Sequence, residues 1–198
     1  MPLANWFLAL VVPEQAGLTQ LLRDLPPGLR PFQATDLHIT VAFLGACDRS
    51  RAWQAWQAIA PLQHPPIAVA AAAWRSMGSP EHPSAYALTL GPDSLQEQDQ
   101  SSRLTTSLIE RWREPALAAA GLPSQRRAAL PHITLARPRR RGVERDRTAM
   151  ASWLRQAPLP QQRFILREIG LYTWASDRQQ QLFRLEAQRP LDAGQSRA

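Results

Sequence analysis

The tripeptide His-Ile-Thr occurs twice, at His38-Ile39-Thr40 and at His132-Ile133-Thr134, each time in an apolar run of strand character. The runs are Leu37 to Leu44 and His132 to Ala136. Strand side chains alternate faces, so the His and Thr of each copy point the same way, roughly 7 Å apart at the backbone. Each copy thus offers an imidazole beside a hydroxyl. Two copies in one site would give two acid/base groups and two hydroxyl donors. That set suits phosphodiester chemistry: one His takes a proton, the other gives one, and the hydroxyls hold phosphate oxygens.

A single His-x-Thr in a strand is usually structural; the duplication in matched contexts is what points to a shared site. The chain has four His in all, and the other two, His64 and His82, each precede a proline and read as loop residues.

With 198 residues the chain can bury a good core and is expected to form one domain, residues 1–198, of two lobes. No apolar stretch reaches membrane-spanning length. The start, Met1-Pro2-Leu3-Ala4-Asn5-Trp6, lacks the basic opening of a signal peptide, and a cytoplasmic location is expected. Cys47 is the single cysteine, which excludes an internal disulfide and a thiolate metal cluster. Net charge is +7, and all 23 basic residues are Arg. The excess favours an anionic partner such as RNA, although a preference for Arg codons would give the same composition. The absence of Lys excludes a P-loop, a lysyl-nucleotidyl ligase and Schiff-base chemistry. Clustered His and carboxylate ligands are missing from the pattern, so neither a metal nor a cofactor is expected.

Local patterns predict strands over 5–12, 37–44, 67–74, 85–90, 132–136, 164–174 and 182–187. Helices are predicted over 14–25, 48–60 with Asp48 as N-cap, 93–120 with Pro115 breaking or ending it, and 144–156. The tail 190–198 is expected to be disordered. The elements fall in two broadly similar halves with one motif strand each, which predicts an α+β fold. Its two lobes would each be an antiparallel sheet with helices outside, related by a pseudo-twofold about a central cleft.

Strict alternation puts His38, Thr40 and Ala42 on one face of the first motif strand, and His132, Thr134 and Ala136 on one face of the second. Leu37, Ile39, Val41 and Phe43 then form a core face, as do Ile133 and Leu135. The two Ala are either a substrate floor or packing. Arg137 comes directly after, either turned toward an anion or solvated at the strand end.

Asp36-Leu37-His38-Ile39-Thr40-Val41-Ala42-Phe43-Leu44-Gly45 and Pro131-His132-Ile133-Thr134-Leu135-Ala136-Arg137 resemble the two His-x-Thr-x signatures of the two-histidine phosphoesterase superfamily. Within it the chain is most similar to the RNA 2',3'-cyclic phosphodiesterases, also called the 2'-5' RNA ligase family. The opening Trp6-Phe7-Leu8-Ala9-Leu10-Val11-Val12-Pro13 and the late Gly170-Leu171-Tyr172 extend the resemblance over about residues 5–187. Two positions depart from the family pattern: Trp174 stands where a small polar residue is common, and Phe183 where Tyr is frequent.

The resemblance implies hydrolysis of a terminal 2',3'-cyclic phosphate of RNA, or of a cyclic nucleotide, to a 2'-phosphomonoester. It implies His132 as the base that activates water and His38 as the acid for the leaving 3'-oxygen. Thr40 and Thr134 would bind the phosphate, and Arg137 would add charge to it. No metal or cofactor is implied, and a monomer is expected. A bell-shaped rate profile between about pH 5 and 8 would result. Two other readings use the same residues: 2'-5' ligation by the reverse reaction, and a non-catalytic module that grips RNA ends.

Overall fold

The computed structural model describes residues 3–14, 18–79, 81–91, 100–139, 144–157, 159 and 163–192. In chain order the elements are β1 (Asn5–Val11), α1 (Thr19–Arg23), β2 (Leu29–Pro31), a 3-10 turn (Ala34–Asp36), β3 (His38–Ala46), α2 (Arg49–Ala58), β4 (Ile67–Gly78) and β5 (Pro83–Gly91). Next come α3 (Gln100–Ala119), β6 (His132–Pro138), α4 (Glu144–Gln156), β7 (Arg163–Leu166), β8 (Glu168–Trp174) and β9 (Phe183–Pro190). They build an α+β fold with two antiparallel sheets, ordered β3-β1-β8-β9 and β2-β6-β5-β4-β7.

The sequence explains the central positions. Phe7, Leu8, Ala9 and Leu10 of β1 are all buried, as are Ile169, Leu171 and Tyr172 of β8. Uninterrupted apolar runs suit strands covered on both faces. One large core joins the two sheets to α2 and α3 through Trp56, Leu108, Trp112 and Leu117. A small satellite of Leu29, Tyr86, Ala136 and Met150 seats α4 on the second sheet. Asp48 caps α2, its carboxylate accepting from Arg51 N at 2.9 Å.

Several sequence expectations are corrected. The two lobes are not the two halves of the chain: β8 and β9 return from the C-terminal end to complete the sheet of β3, while β2 crosses into the sheet of β6. Pro115 does not end its helix, because α3 continues to Ala119. Trp112, Ala116, Leu117 and Ala120 are buried on either side of it, and such packing outweighs a local proline cost of about 3 kcal/mol. The stretch 164–174 is two strands in different sheets. Phe164 pairs with Val69 of β4, whereas Leu171 pairs with Leu8 of β1. Of the helix predicted over 14–25, α1 covers Thr19–Arg23 and residues 15–17 lie outside the described residues; β2 had no pattern to announce it. Of the tail 190–198, Pro190 ends β9 and Leu191 and Asp192 are also described. Leu191 is buried, and its N–H donates to Arg167 O at 2.8 Å. Residues 193–198 lie outside the described residues, as do 92–99 of the predicted third helix. No described helix is long and apolar enough to cross a membrane.

Candidate active site

The two motif strands come from different sheets, and β3 packs against β6. Between them opens a cavity of about 320 Å³ lined by His38, Thr40, His132, Thr134 and Arg137. All five residues singled out from sequence therefore meet in one place. His64 and His82 are absent from its lining.

Each imidazole is held in the same way. His38 Nδ1 lies 2.7 Å from Asp36 O, and His132 Nδ1 lies 2.7 Å from Leu130 O. A carbonyl only accepts, so each Nδ1 must carry a proton and donate it. Each Nε2 is then left for chemistry, as lone pair when the ring is neutral and as donor when it is charged. The partner is in both cases the backbone two residues upstream, so the orientation is encoded locally at the strand start.

His38 is further enclosed by rings. Its centroid lies 4.6 Å from Phe7, 5.2 Å from Phe183 and 5.8 Å from Tyr172. Phe7 and Tyr172 stack behind it at 5.2 Å. This burial disfavours the cation and, with smaller repulsion from His132 and Arg137 and despite the opposing bond to Asp36, lowers the His38 pKa to about 4. The ring of the free protein is therefore neutral at pH 7. Gly170 makes room for this stack, since a Cβ there would come within 2.9 Å of Tyr172 Cε2.

Asp36 is 1% exposed. Its carboxylate accepts from Leu182 N at 3.0 Å and Phe183 N at 3.0 Å. One residue thus orients His38 through its carbonyl and holds the start of β9 through its side chain. Gln33 N donates to the same carboxylate at 3.3 Å, and a buried carboxylate among three backbone donors is well satisfied. No local pattern in the sequence marks Asp36 for this double task.

The motif faces depart from strict alternation, and both strands depart alike. Leu8 pairs with Ala42 while Ala9 pairs with Thr40, which leaves Val41 as an extra residue on β3. Tyr86 pairs with Ala136 while Ala87 pairs with Thr134, which leaves Leu135 extra on β6. Each extra residue is a β-bulge three positions after the motif His, and it reverses the phase of the residues beyond it. Ala42 and Ala136 are consequently buried, at 1% and 0% exposure, and are not a substrate floor. Position five after each His turns into the cavity instead: Phe43 on β3, 49% exposed, and Arg137 on β6. A second bulge at Leu44 precedes Gly45, whose φ of 69° suits glycine.

Further lining residues escaped sequence reading: Asn5, Phe7, Arg30, Phe32, Arg178 and Leu182. Trp174 and Phe183, the two departures from the family pattern, also line the cavity. Arg30 and Arg178 carried no local signal, one lying on a three-residue strand and the other in a polar turn. Of the run Arg139-Arg140-Arg141, only Arg139 is described. Its Nε donates to Leu29 O at 3.2 Å, while Arg140 and Arg141 lie outside the described residues. No group of three His, Cys, Asp or Glu that could hold a metal occurs among the described residues.

The family model of LigT-like phosphoesterases matches residues 10–85, a stretch that contains the first motif. Solved structures share the fold over nearly the whole chain. Escherichia coli LigT in its apo form superposes with a TM-score of 0.64 at 19% identity, covering 97% of this chain and 99% of that one. The same protein complexed with NADP+ gives 0.67 at 21% identity, with 97% and 99% covered. A protein of Thermus thermophilus gives 0.61 at 16% identity, with 96% and 100% covered. No curated protein matches the chain.

Proposed function

We propose that this chain is a 2'-5' RNA ligase-like phosphoesterase of the two-histidine superfamily and that it hydrolyses 2',3'-cyclic phosphates at RNA ends or on nucleotides to 2'-phosphomonoesters. The observation that carries the reading is the paired geometry: two His-x-Thr units from two sheets in one cavity, each His holding Nδ1 on a carbonyl two residues upstream. Solved structures of E. coli LigT with NADP+ and with 3'-AMP support a nucleotide as the occupant. The reading takes residues 1–198 as a single two-lobed domain, acting as a monomer in the cytoplasm.

In this mechanism His132 Nε2 takes a proton from the water that attacks phosphorus. The bond from phosphorus to O3' breaks, and His38 Nε2 protonates that oxygen, leaving the ester at O2'. Thr40 and Thr134 donate hydrogen bonds to the non-bridging oxygens as charge builds there, and Arg137 adds a guanidinium. The low basicity of His38 makes its proton depend on the substrate, because a phosphodiester anion beside the ring favours the cation. The same caging favours a second reading, in which neutral His38 is the base and His132 the acid. No metal takes part, so EDTA should leave the rate unchanged; a loss restored by zinc or manganese would replace this mechanism.

The direct test is incubation with 2',3'-cyclic AMP and CMP, with product read by phosphorus NMR. A 2'-phosphate is expected. A 3'-phosphate would mean that the other ester bond breaks. Binding without turnover would leave a module that grips RNA ends, and joining of a 5'-hydroxyl oligonucleotide in preference to hydrolysis would make the chain a ligase.

A further inference from the structure

We propose that Arg30 and Arg178, next to Arg137, form a second anion subsite beside the position of the reacting phosphate that takes another phosphate of the substrate. The inference rests on the reading that Thr40 and Thr134 hold the phosphate under attack. Arg30 of β2 and Arg137 of β6 are direct cross-strand partners. Like charges placed opposite each other destabilise a sheet pair. Arg178 joins them from the turn between β8 and β9, where the Arg30 guanidinium donates to its backbone carbonyl. All three line the cavity, and no carboxylate does so among the described residues. The neighbouring Asp177 instead accepts from Gln179 N at 2.9 Å.

Two of the guanidinium planes lie over rings. Arg178 sits 4.3 Å from the Trp174 centroid and Arg137 5.6 Å from that of Phe32. Burial, then Arg178, then Arg30 all disfavour the charge on Arg137. Two strands and a turn thus converge like charges that an anion would relieve. One reacting diester carries a single negative charge, which leaves two guanidinium groups over. A second phosphate matches them. The preferred substrate is then an oligonucleotide end or a nucleotide with a further phosphate, rather than a lone cyclic nucleoside phosphate. An internucleotide diester and a terminal monoester share this chemistry.

Binding separates the cases without relying on turnover. Adenosine 2'-monophosphate, adenosine 2',5'-bisphosphate and the dinucleotide ApA bearing a terminal 2'-phosphate would be titrated against the full chain, with tryptophan fluorescence as the signal. At least one two-phosphate ligand should bind roughly tenfold or more tightly than the monophosphate, the scale of a charge-assisted contact. Preference for the bisphosphate alone identifies a terminal monoester, and preference for the dinucleotide alone an internal diester. In the R30Q/R178Q double variant the affinity ratio should fall to near one. A ratio near one in the wild type, or an unchanged ratio in the variant, overturns the subsite. Hydrolysis of an ApA dinucleotide ending in a 2',3'-cyclic phosphate by the wild type is measured in parallel. If it fails while the affinity ratio persists, the catalytic reading is wrong and the subsite stands.

Discussion

His38 and His132 share a backbone anchor but not an environment. His38 lies in a ring cage with its cation disfavoured, and its Nε2 is what remains for the reaction. His38→Ala and His132→Ala should each lower turnover roughly 100-fold or more. The double variant should be little worse than either single, because the pair acts as a unit. Near-normal turnover in one single variant would remove that residue from the site. A p-nitrophenyl phosphodiester, whose leaving group needs no proton, assigns the roles: it should rescue His38→Ala and not His132→Ala, and the reverse pattern would exchange acid and base. The pKa near 4 also revises the pH profile expected from sequence. The limb set by His38 should appear near pH 4 in kcat/KM, which reports the free protein, and move upward in kcat, where phosphate is bound. A limb that stays between about 6 and 7 in both would show that the cage does not act on the ring. Stability has the same sign. Between pH 6.5 and about 4 the unfolded chain binds the proton that folded His38 refuses, so the contribution of neutral His38 is lost as pH falls through that window.

At the scale of elements, the informative feature is the bulge repeated in β3 and β6. Side chains at position five after each His enter the cavity only because one extra residue breaks the alternation. Neighbouring substitutions on β3 should therefore behave oppositely to the simple pattern. Ala42→Leu, at a fully packed position, should destabilise by about 1–3 kcal/mol through overpacking. Phe43→Ala, at the cavity mouth, should change stability by less than about 0.5 kcal/mol while weakening nucleotide affinity through a lost aromatic contact. Urea unfolding and ligand titration on both variants check this. If Phe43→Ala unfolds the protein more readily than Ala42→Leu, the bulge at Val41 is wrong.

For the whole molecule, the decisive connection is the return of β8 and β9 from the far end of the chain to the sheet of β3. Asp36 ties that return to the site, its carbonyl on His38 and its carboxylate on the N–H groups of Leu182 and Phe183. Asp36→Ala would leave two buried donors without their acceptor, at a cost of about 2–4 kcal/mol. Asp36→Asn keeps one acceptor oxygen and should be milder. Both variants should lose affinity for nucleotide as well as stability, because Trp174, Arg178 and Phe183 wall the cavity from this hairpin. Loss of stability with affinity intact would separate the hairpin from binding.

Legible in the sequence by itself were the two His-x-Thr pairs and Arg137, which the fold brings to one cavity, and the strands that carry them. Two His-x-Thr units in apolar runs, an Arg after the second and an N-capped α2 are local patterns, and local patterns survive in a single chain read alone. The orientation of each His was also local, since its carbonyl partner lies two residues upstream. Tertiary structure decided what depends on partners distant in the chain. Bulges exist only relative to a paired strand, so alternation placed Ala42 and Ala136 in the site where Phe43 and Arg137 stand. The continuation of α3 through Pro115 and the split of 164–174 between two sheets were set by packing and pairing rather than propensity. Arg30 and Arg178, 148 residues apart, meet only because β2 and the β8–β9 turn converge on one cavity.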